Sequence, residues 1–104
     1  MTDGSPAISL TTICSPSRDV VAREIEGDMV IVPLVAGIGD ADDELYTLNE
    51  TGKAIWKRLD GRRTIGDVAR AIAVEFDVPV AQVEADVVGF AREMAELRFL
   101  SARN

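Results

Sequence analysis

The apolar residues of this chain change their spacing near its midpoint, and this change restricts the fold more than any other feature of the sequence. Residues 20–26 and 29–35 are rich in Val and Ile, and a shorter apolar run follows at 45–48. From residue 49 onward the apolar positions recur every three or four residues, as on one face of an α-helix. The sequence therefore predicts strands first and helices afterwards, within 104 residues that suffice for one domain.

Three short strands are predicted in the first half of the chain. Gly27 and Asp28 separate the two Val- and Ile-rich runs, which is typical of a β-hairpin. Pro33 has no N–H to donate, so we expect a bulge, an edge or the end of the strand there. Residues 45–48 are predicted to form the third strand and are a candidate edge of the sheet.

Three helices are predicted in the second half from their boundary residues. Asn49 is a predicted N-cap, and residues 60–61, Asp-Gly, are predicted to end the first helix. Thr64 and Asp67 have the spacing of a capping box, and Pro79 fits the first turn of the third helix. The order β-β-β-α-α-α predicts an α+β domain with a three-stranded antiparallel sheet and helices on one side of it.

The first residues are predicted to form a mobile arm. Residues 1–17 combine glycine, proline, serine and threonine, which is typical of an unpacked terminus, and the domain proper is predicted to cover residues 18–101. Apolar side chains at Ile8, Leu10 and Ile13 could nevertheless fix part of this arm to the domain.

Composition argues against an enzyme. The chain has no histidine, which removes the commonest general base and the commonest metal ligand. Its one cysteine, Cys14, has no histidine to activate it, and paired acids lack a visible apolar pocket that would raise their pKa. Neither a phosphate-binding glycine loop nor a dinucleotide fingerprint occurs. We therefore expect no catalytic residue, no metal and no cofactor.

The charge is acidic and unevenly distributed. Asp and Glu total 18 against 11 Lys and Arg, a net charge of -7, and the whole excess lies in residues 1–48. The second half contains a local basic cluster of Lys53, Lys57, Arg58, Arg62 and Arg63. This cluster is either a solvated helix face or a patch for an acidic partner peptide. The acidic surface disfavours nucleic-acid binding.

A membrane location is not predicted. The apolar runs are too short to span a bilayer. The first residues also lack the basic and apolar regions of a signal peptide, so a cytoplasmic location is expected.

The predicted third helix has a wider apolar face than one core contact needs. A narrow arc of this helix holds Val83, Val87, Phe90, Met94 and Leu97. Beside that arc lie Val88, Ala91 and Ala95. This second group either packs under the first strand or the N-terminal arm, or lines a shallow groove for a partner peptide. If the third strand lies next to this helix, its free edge and the groove would form one site.

Several motifs occur together at a characteristic spacing. The central ones are Leu48-Asn49-Glu50-Thr51-Gly52, Ile55-Trp56, Leu59-Asp60-Gly61 and Thr64-Ile65. They are accompanied downstream by Phe76-Asp77-Val78 and Leu97-Arg98-Phe99-Leu100, and upstream by Val21-Ala22-Arg23-Glu24-Ile25 and Gly27-Asp28. In this combination the chain resembles the PqqD-like family over residues 20–100.

The resemblance implies a small winged-helix-like RiPP recognition element, which is a non-catalytic chaperone or adaptor. Such a domain binds the leader of a ribosomally made precursor peptide and presents it to a modifying enzyme, for example a radical-SAM enzyme or a leader peptidase and cyclase. Pyrroloquinoline quinone synthesis, lasso-peptide synthesis and other RiPP pathways all stay open.

The resemblance also implies a place for the peptide, as a strand added to the third strand beside the third helix. The strand residues are carried over from the family, and the helix residues are inferred from helix geometry. The predicted peptide-binding residues are Leu45, Tyr46, Thr47, Leu48, Glu84, Val88, Ala91, Arg92 and Ala95.

Two features depart from the family, and two questions stay open. Residues 35–44 are longer and more acidic than expected, and residues 79–82 lack the acids common in the first turn of the third helix. The alternative function is a winged-helix DNA-binding regulator, which the element types allow and the net charge disfavours. A homodimer formed through the free strand edge also stays open.

Overall fold

The predicted three-stranded antiparallel sheet followed by three helices is confirmed by a computed structural model, which describes residues 8–34 and 46–103. The strands are β1 (Ile13–Pro16), β2 (Val20–Ile25), β3 (Asp28–Pro33), β4 (Tyr46–Leu48) and β5 (Leu100–Arg103). The helices are α1 (Glu50–Arg58), α2 (Ile65–Phe76) and α3 (Val80–Glu96). β2, β3 and β4 form the predicted sheet in that order, while β1 and β5 add a two-stranded sheet.

The β2–β3 hairpin turns one residue earlier than predicted. Ile25 lies opposite Asp28, so Glu26 and Gly27 form the two-residue turn. Both have positive φ, 52° and 88°, which is the conformation of a type I′ turn. Such a turn matches the twist of the strands it joins. Pro33 is the last residue of β3, which confirms the end of the strand there.

One continuous core joins the sheet to the helices. The inner face of the sheet contributes Met29, Ile31 and Leu48, and these belong to the same buried cluster as the apolar faces of all three helices. Val87 and Met94 of α3 are fully buried in it. Removal of this apolar surface from water is the main term that stabilises so small a domain.

The helix boundaries follow the predicted caps closely. The Asn49 Oδ1 accepts a hydrogen bond from the Gly52 N–H at 2.7 Å, which confirms this N-cap. The capping box is also confirmed, because the Asp67 N–H donates to Thr64 Oγ1 and the Thr64 N–H donates to Asp67 Oδ2. α1 ends at Arg58, before the predicted Asp-Gly pair, and Pro79 is the N-cap of α3 rather than part of its first turn.

Thr64→Ala is expected to lower the free energy of unfolding by about 1 kcal/mol, because one N–H of the first turn of α2 loses its side-chain acceptor. Urea unfolding at neutral pH measures the change. Thr64→Ser is the matched control, since it keeps the hydroxyl and should stay close to the wild type. An alanine variant as stable as the serine variant would show that the capping box contributes nothing.

The segment from Ile8 to Pro16 packs on the domain, so the predicted mobile arm is wrong for residues 8–17. β1 pairs with β5, and the Ile65 N–H donates to the Thr12 oxygen at 2.8 Å. Ile8 is buried, as the alternative of a fixed arm anticipated. The domain also extends past its predicted end at residue 101, because β5 continues to Arg103.

Three predicted features fall outside the described residues. They are the start of the arm at residues 1–7, the acidic segment 35–44 and the site residue Leu45. Within residues 8–34 and 46–103, no helix is both long and apolar enough to cross a membrane.

Candidate functional site

β4 is an edge strand of its sheet in the described part of the chain, since only β3 pairs with it. The geometry of the hairpin decides whether the main-chain hydrogen bonds of each β3 residue point toward β2 or toward β4. Ile25 and Asp28 flank a two-residue turn and therefore exchange both hydrogen bonds, after which bonded and non-bonded pairs alternate. The hydrogen bond from the Leu34 N–H to the Asp19 oxygen, 2.7 Å long, agrees with this alternation.

Thr47 presents its main chain at the free edge of β4. By the same alternation, Met29 and Ile31 direct their N–H and C=O groups away from β2 and bond to Leu48 and Tyr46. Thr47 lies between these two residues, so its own N–H and C=O point away from the sheet. Its side chain is also exposed. This residue therefore offers one donor and one acceptor to a strand that adds alongside β4.

Tyr46 connects β4 to α3. Its hydroxyl donates a hydrogen bond of 2.6 Å to Glu93 Oε2, and its ring meets the ring of Phe99 edge-on, with centroids 5.7 Å apart. Aromatic rings favour this edge-to-face arrangement. The two contacts hold the free edge of β4 next to the flank of α3 that carries Glu93.

α1 comes close to the same flank of α3 at Gly52. A Cβ at this position would lie 3.3 Å from the ring of Phe90 and 3.2 Å from Asn49 Oδ1, so glycine permits the approach. Phe90 is about one helical turn from Glu93 and lies on the same flank. We refer to the residues that meet here as the β4–α3 surface, which consists of Tyr46, Thr47, Phe90 and Glu93.

The helix residues predicted for the site lie on the other flank of α3, which corrects the prediction that they share a groove with β4. At about 100° per residue, Val88 is about 140° from Glu93 around the helix. Arg92 Nη2 donates to the Ile8 oxygen at 3.3 Å, so this flank faces the N-terminal segment. Glu84 and Val88 border a shallow depression on that side.

Two further predicted site residues belong to the core. Ala91 is 0% exposed and Ala95 8% exposed, so neither offers a surface to a peptide. Their burial agrees with packing of this flank and not with a groove, the two alternatives that the sequence left open. Sequence reasoning placed Phe90 in the core arc and omitted Glu93. The only available signal was their spacing of three residues, and helical periodicity does not say which flank faces β4.

Four residues of the predicted basic cluster form ion pairs. Lys53 and Lys57 both bind Glu24, with N–O distances of 2.8 and 3.3 Å, and these bonds lower the pKa of Glu24. The remaining pairs are Arg58 with Glu75 and Arg63 with Asp60. These pairs connect α1 to the hairpin and to α2, and they set three acids, Glu24, Glu75 and Asp60, against the cluster.

Cys14 lies on β1 opposite Ala102 of β5 and is fully buried, and this burial raises the pKa of its thiol. A thiol that is both buried and harder to ionise is a poor nucleophile. In the described ranges, no group of three or more His, Cys, Asp or Glu side chains is placed to hold a metal ion. The edge at Thr47, by contrast, offers a main-chain donor and acceptor to a partner strand.

Tyr46→Phe is expected to lower the free energy of unfolding by about 1 kcal/mol at pH 7, because the bond to the Glu93 carboxylate is lost. Burial, then the hydrogen bond and charge of Glu93, raises the pKa of Tyr46 from 10.0 to about 12. Since the folded-state pKa is the higher one, the contribution is complete below about pH 10 and is lost as the pH rises through about 12.

Urea unfolding of wild type and Tyr46→Phe at pH 7 and pH 11 measures this change. The stability difference between the two proteins should shrink at pH 11, and other groups that titrate there cancel in the comparison. A difference that stays constant to pH 12 would contradict the role given to the hydroxyl.

Comparison with known proteins identifies relatives of this chain. The family model for "Coenzyme PQQ synthesis protein D (PqqD)" matches residues 28–100. The "PqqA binding protein" of Rhizobium meliloti (strain 1021) is 28% identical over 102 residues, which cover 96% of each chain.

Two solved structures have similar folds. One is the PqqD truncation of Methylobacterium extorquens PqqCD, described as a stand-alone RiPP recognition element; the TM-score is 0.71 at 25% identity, over 91% of this chain and 95% of that one. The other is TbiB1 in complex with the TbiA(beta) leader peptide, with a TM-score of 0.69 at 25% identity, over 84% and 94%.

Proposed function

The chain belongs to the PqqD family, and from this premise we propose that it is a non-catalytic adaptor that binds the leader of a ribosomally made precursor peptide. The leader adds as a strand along β4, takes the N–H and C=O of Thr47 as partners, and lies beside α3. The adaptor then presents the rest of the peptide to a modifying enzyme in the cytoplasm.

The observation that carries this proposal is the outward-facing main chain of Thr47 beside the exposed flank of α3. A peptide strand gains its two hydrogen bonds there whatever its sequence, and the side chains of Phe90 and Glu93 supply selectivity. The relative from Rhizobium meliloti is named for binding PqqA, and the TbiB1 structure contains a leader peptide. Both support the same class of ligand for this chain.

The partner enzyme is proposed from the family resemblance. A radical-SAM enzyme or a leader peptidase and cyclase are the two kinds of partner it suggests, in a pyrroloquinoline quinone, lasso-peptide or related pathway. When no peptide is bound, the same edge at Thr47 is open to a second copy of the chain, so a homodimer belongs to this proposal as the peptide-free form.

The DNA-binding alternative gains no support from the described residues. Four of the five residues of the basic cluster, Lys53, Lys57, Arg58 and Arg63, form ion pairs. α3 would have to act as the recognition helix, but between its ends it carries one basic residue, Arg92, against four acids, Glu84, Asp86, Glu93 and Glu96. A helix with this charge would be repelled by the phosphates that flank the major groove.

Isothermal titration with the short precursor peptide encoded beside the gene of this chain tests the proposed function. Binding is expected at low micromolar concentration or tighter, which corresponds to about -8 kcal/mol or better. A scrambled peptide of the same composition is the control and should bind much more weakly. If the native peptide gives no more heat than the scrambled one, the adaptor proposal is wrong.

A further inference from the structure

A second free strand edge lies on β5, in the sheet that this strand forms with β1. The Ser17 N–H donates to the Phe99 oxygen at 2.8 Å, and bonded and non-bonded pairs alternate from there along the register. By this alternation the N–H and C=O of Ala102 point away from β1. Cys14, which lies opposite Ala102, agrees with it, because its oxygen accepts from the Gly61 N–H at 3.0 Å rather than from β5.

Ala102 is the accessible part of this edge. Leu100, whose main chain points the same way, is buried, whereas Ala102 is half-buried and the residues on either side of it are exposed. Within residues 8–34 and 46–103, β5 pairs only with β1, and no hydrogen bond engages the outward main chain of Ala102. This position therefore offers one donor and one acceptor to an added strand.

Four exposed arginines stand at the two ends of β5. Two of them adjoin the bonded pair of Ser17 and Phe99 before the start of the strand. The third, Arg103, ends the strand and donates from Nη2 to the Gly61 oxygen at 3.0 Å, and the fourth directly follows Gly61. In chain order they are Arg18, Arg62, Arg98 and Arg103. Among the residues that the structure describes, no acid forms an ion pair with any of the four.

The acids nearest to these arginines do not cancel their charge. Asp60 accepts the main-chain N–H groups of Arg62 and Arg63 and pairs with the Arg63 side chain, so it is engaged within its own turn. Asp19 and Glu96 are the other acids close in sequence, and both are exposed. Four arginines against these two acids leave a positive surface on a chain of net charge -7. We refer to Ala102 and the four arginines as the β5 edge patch.

We propose that the β5 edge patch docks the modifying enzyme, through an extended acidic segment of that enzyme that adds as a strand to β5. The free main chain of Ala102 selects an extended partner, and the unpaired arginines select an acidic one. Arg98 and Arg103 are five residues apart, at most about 17 Å at about 3.4 Å per extended residue. A segment of about six residues with acids near both ends would therefore meet both groups of arginines.

The inference rests on the proposed function, because an adaptor has to hold its enzyme while the edge at Thr47 holds the leader. The two edges belong to separate sheets, so one partner does not occupy the site of the other. They are nevertheless close, since the ring of Tyr46 on β4 contacts the ring of Phe99, which directly precedes β5. Leader and enzyme would thus be bound side by side.

Calorimetry with the modifying enzyme encoded beside the gene of this chain tests the charge of the patch. Arg98→Glu is expected to weaken binding of the enzyme about tenfold, a loss of about 1.4 kcal/mol, and to leave binding of the precursor peptide within about twofold. Arg23→Glu is the matched control, because Arg23 is also exposed and without an ion pair but lies on β2. It should bind the enzyme within about twofold of the wild type.

A proline at Ala102 tests the strand addition itself. Ala102→Pro removes the outward N–H and should also weaken binding of the enzyme about tenfold. Ala102→Ser keeps this N–H and should bind like the wild type. Urea unfolding of both variants shows whether they fold, and Arg98→Glu decides the docking site independently if the proline variant does not.

A synthetic probe tests the patch without the enzyme. Titration of the wild-type chain with acetyl-(Glu-Val)3-amide should shift the amide NMR signals of residues 101–103 and leave that of Thr47 in place. The basic counterpart acetyl-(Lys-Val)3-amide should shift none of them. Equal shifts with both peptides, or a larger shift at Thr47 than at Ala102, would contradict an acid-selective edge on β5.

The outcomes separate the two proposals. If the leader binds and Arg98→Glu holds the enzyme as tightly as Arg23→Glu does, the docking site is wrong and the adaptor function stands. If Arg98→Glu weakens the leader as much as the enzyme, the leader occupies β5 and the docking proposal fails. Binding of a single-stranded oligonucleotide that Arg98→Glu abolishes would assign the patch to nucleic acid instead. If the wild type binds no leader, the adaptor function itself is contradicted.

Discussion

Phe99→Ala is expected to lower the free energy of unfolding by about 3–5 kcal/mol, which is a large share of the total stability of a domain of this size. Phe99 is 1% exposed and follows the end of α3, where Arg98 has a φ of 66°. Its main chain is held by two bonds of 2.8 Å, from its own N–H to the Met94 oxygen and from the Ser17 N–H to its oxygen. Alanine would leave a cavity beneath the ring of Tyr46.

Urea unfolding measures this loss, and two variants calibrate it. Phe99→Leu keeps most of the volume and should cost less than alanine does. Val74→Ala removes an apolar side chain that is 83% exposed and should change stability by at most about 0.5 kcal/mol. Should Phe99→Ala behave like Val74→Ala, Phe99 would not be the core residue described above.

Thr47→Pro is expected to weaken binding of the precursor peptide tenfold to a hundredfold, or about 1.4–2.8 kcal/mol. Proline removes the outward N–H, and its ring occupies the space that the carbonyl of the incoming strand needs. The fold should tolerate the change, because in the ladder of β3 and β4 this N–H bonds to nothing within the sheet. Stability should therefore fall by no more than about 1 kcal/mol.

Thr47→Val is the matched control for this prediction. Valine has nearly the same shape as threonine and keeps the N–H, so peptide affinity should stay near that of the wild type. Calorimetry with all three proteins separates main-chain from side-chain effects. Equal affinity for Thr47→Pro and Thr47→Val would place the peptide elsewhere on the domain.

The sequence correctly predicts features that arise from residues close together along the chain. The N-cap at Asn49, the capping box at Thr64 and the strand end at Pro33 each rest on the chemistry of one residue within a few positions of its partner. The fold class follows once these elements are placed, since a hairpin, a third strand and three amphipathic helices have few ways to bury their apolar faces together.

The errors arise where distant segments meet. β1 has only four residues, Ile13–Pro16, and its pairing with β5 depends on residues about 85 positions further along the chain. Which flank of α3 faces β4 is likewise decided by contacts between distant segments. Val88 and Glu93 are both compatible with the helix pattern, and only the position of Tyr46 decides between their two flanks.

The pairing of β1 with β5 has a consequence for the order in which the domain assembles. Ile13 lies opposite Arg103, so this contact closes a far longer loop than the two-residue turn of the hairpin does. Long loops cost more chain entropy to close, and such contacts therefore form late. During synthesis the hairpin and the first two helices are complete before β5 exists. Cys14 and the other residues of β1 gain their β5 partners only after residues 100–103 have left the ribosome.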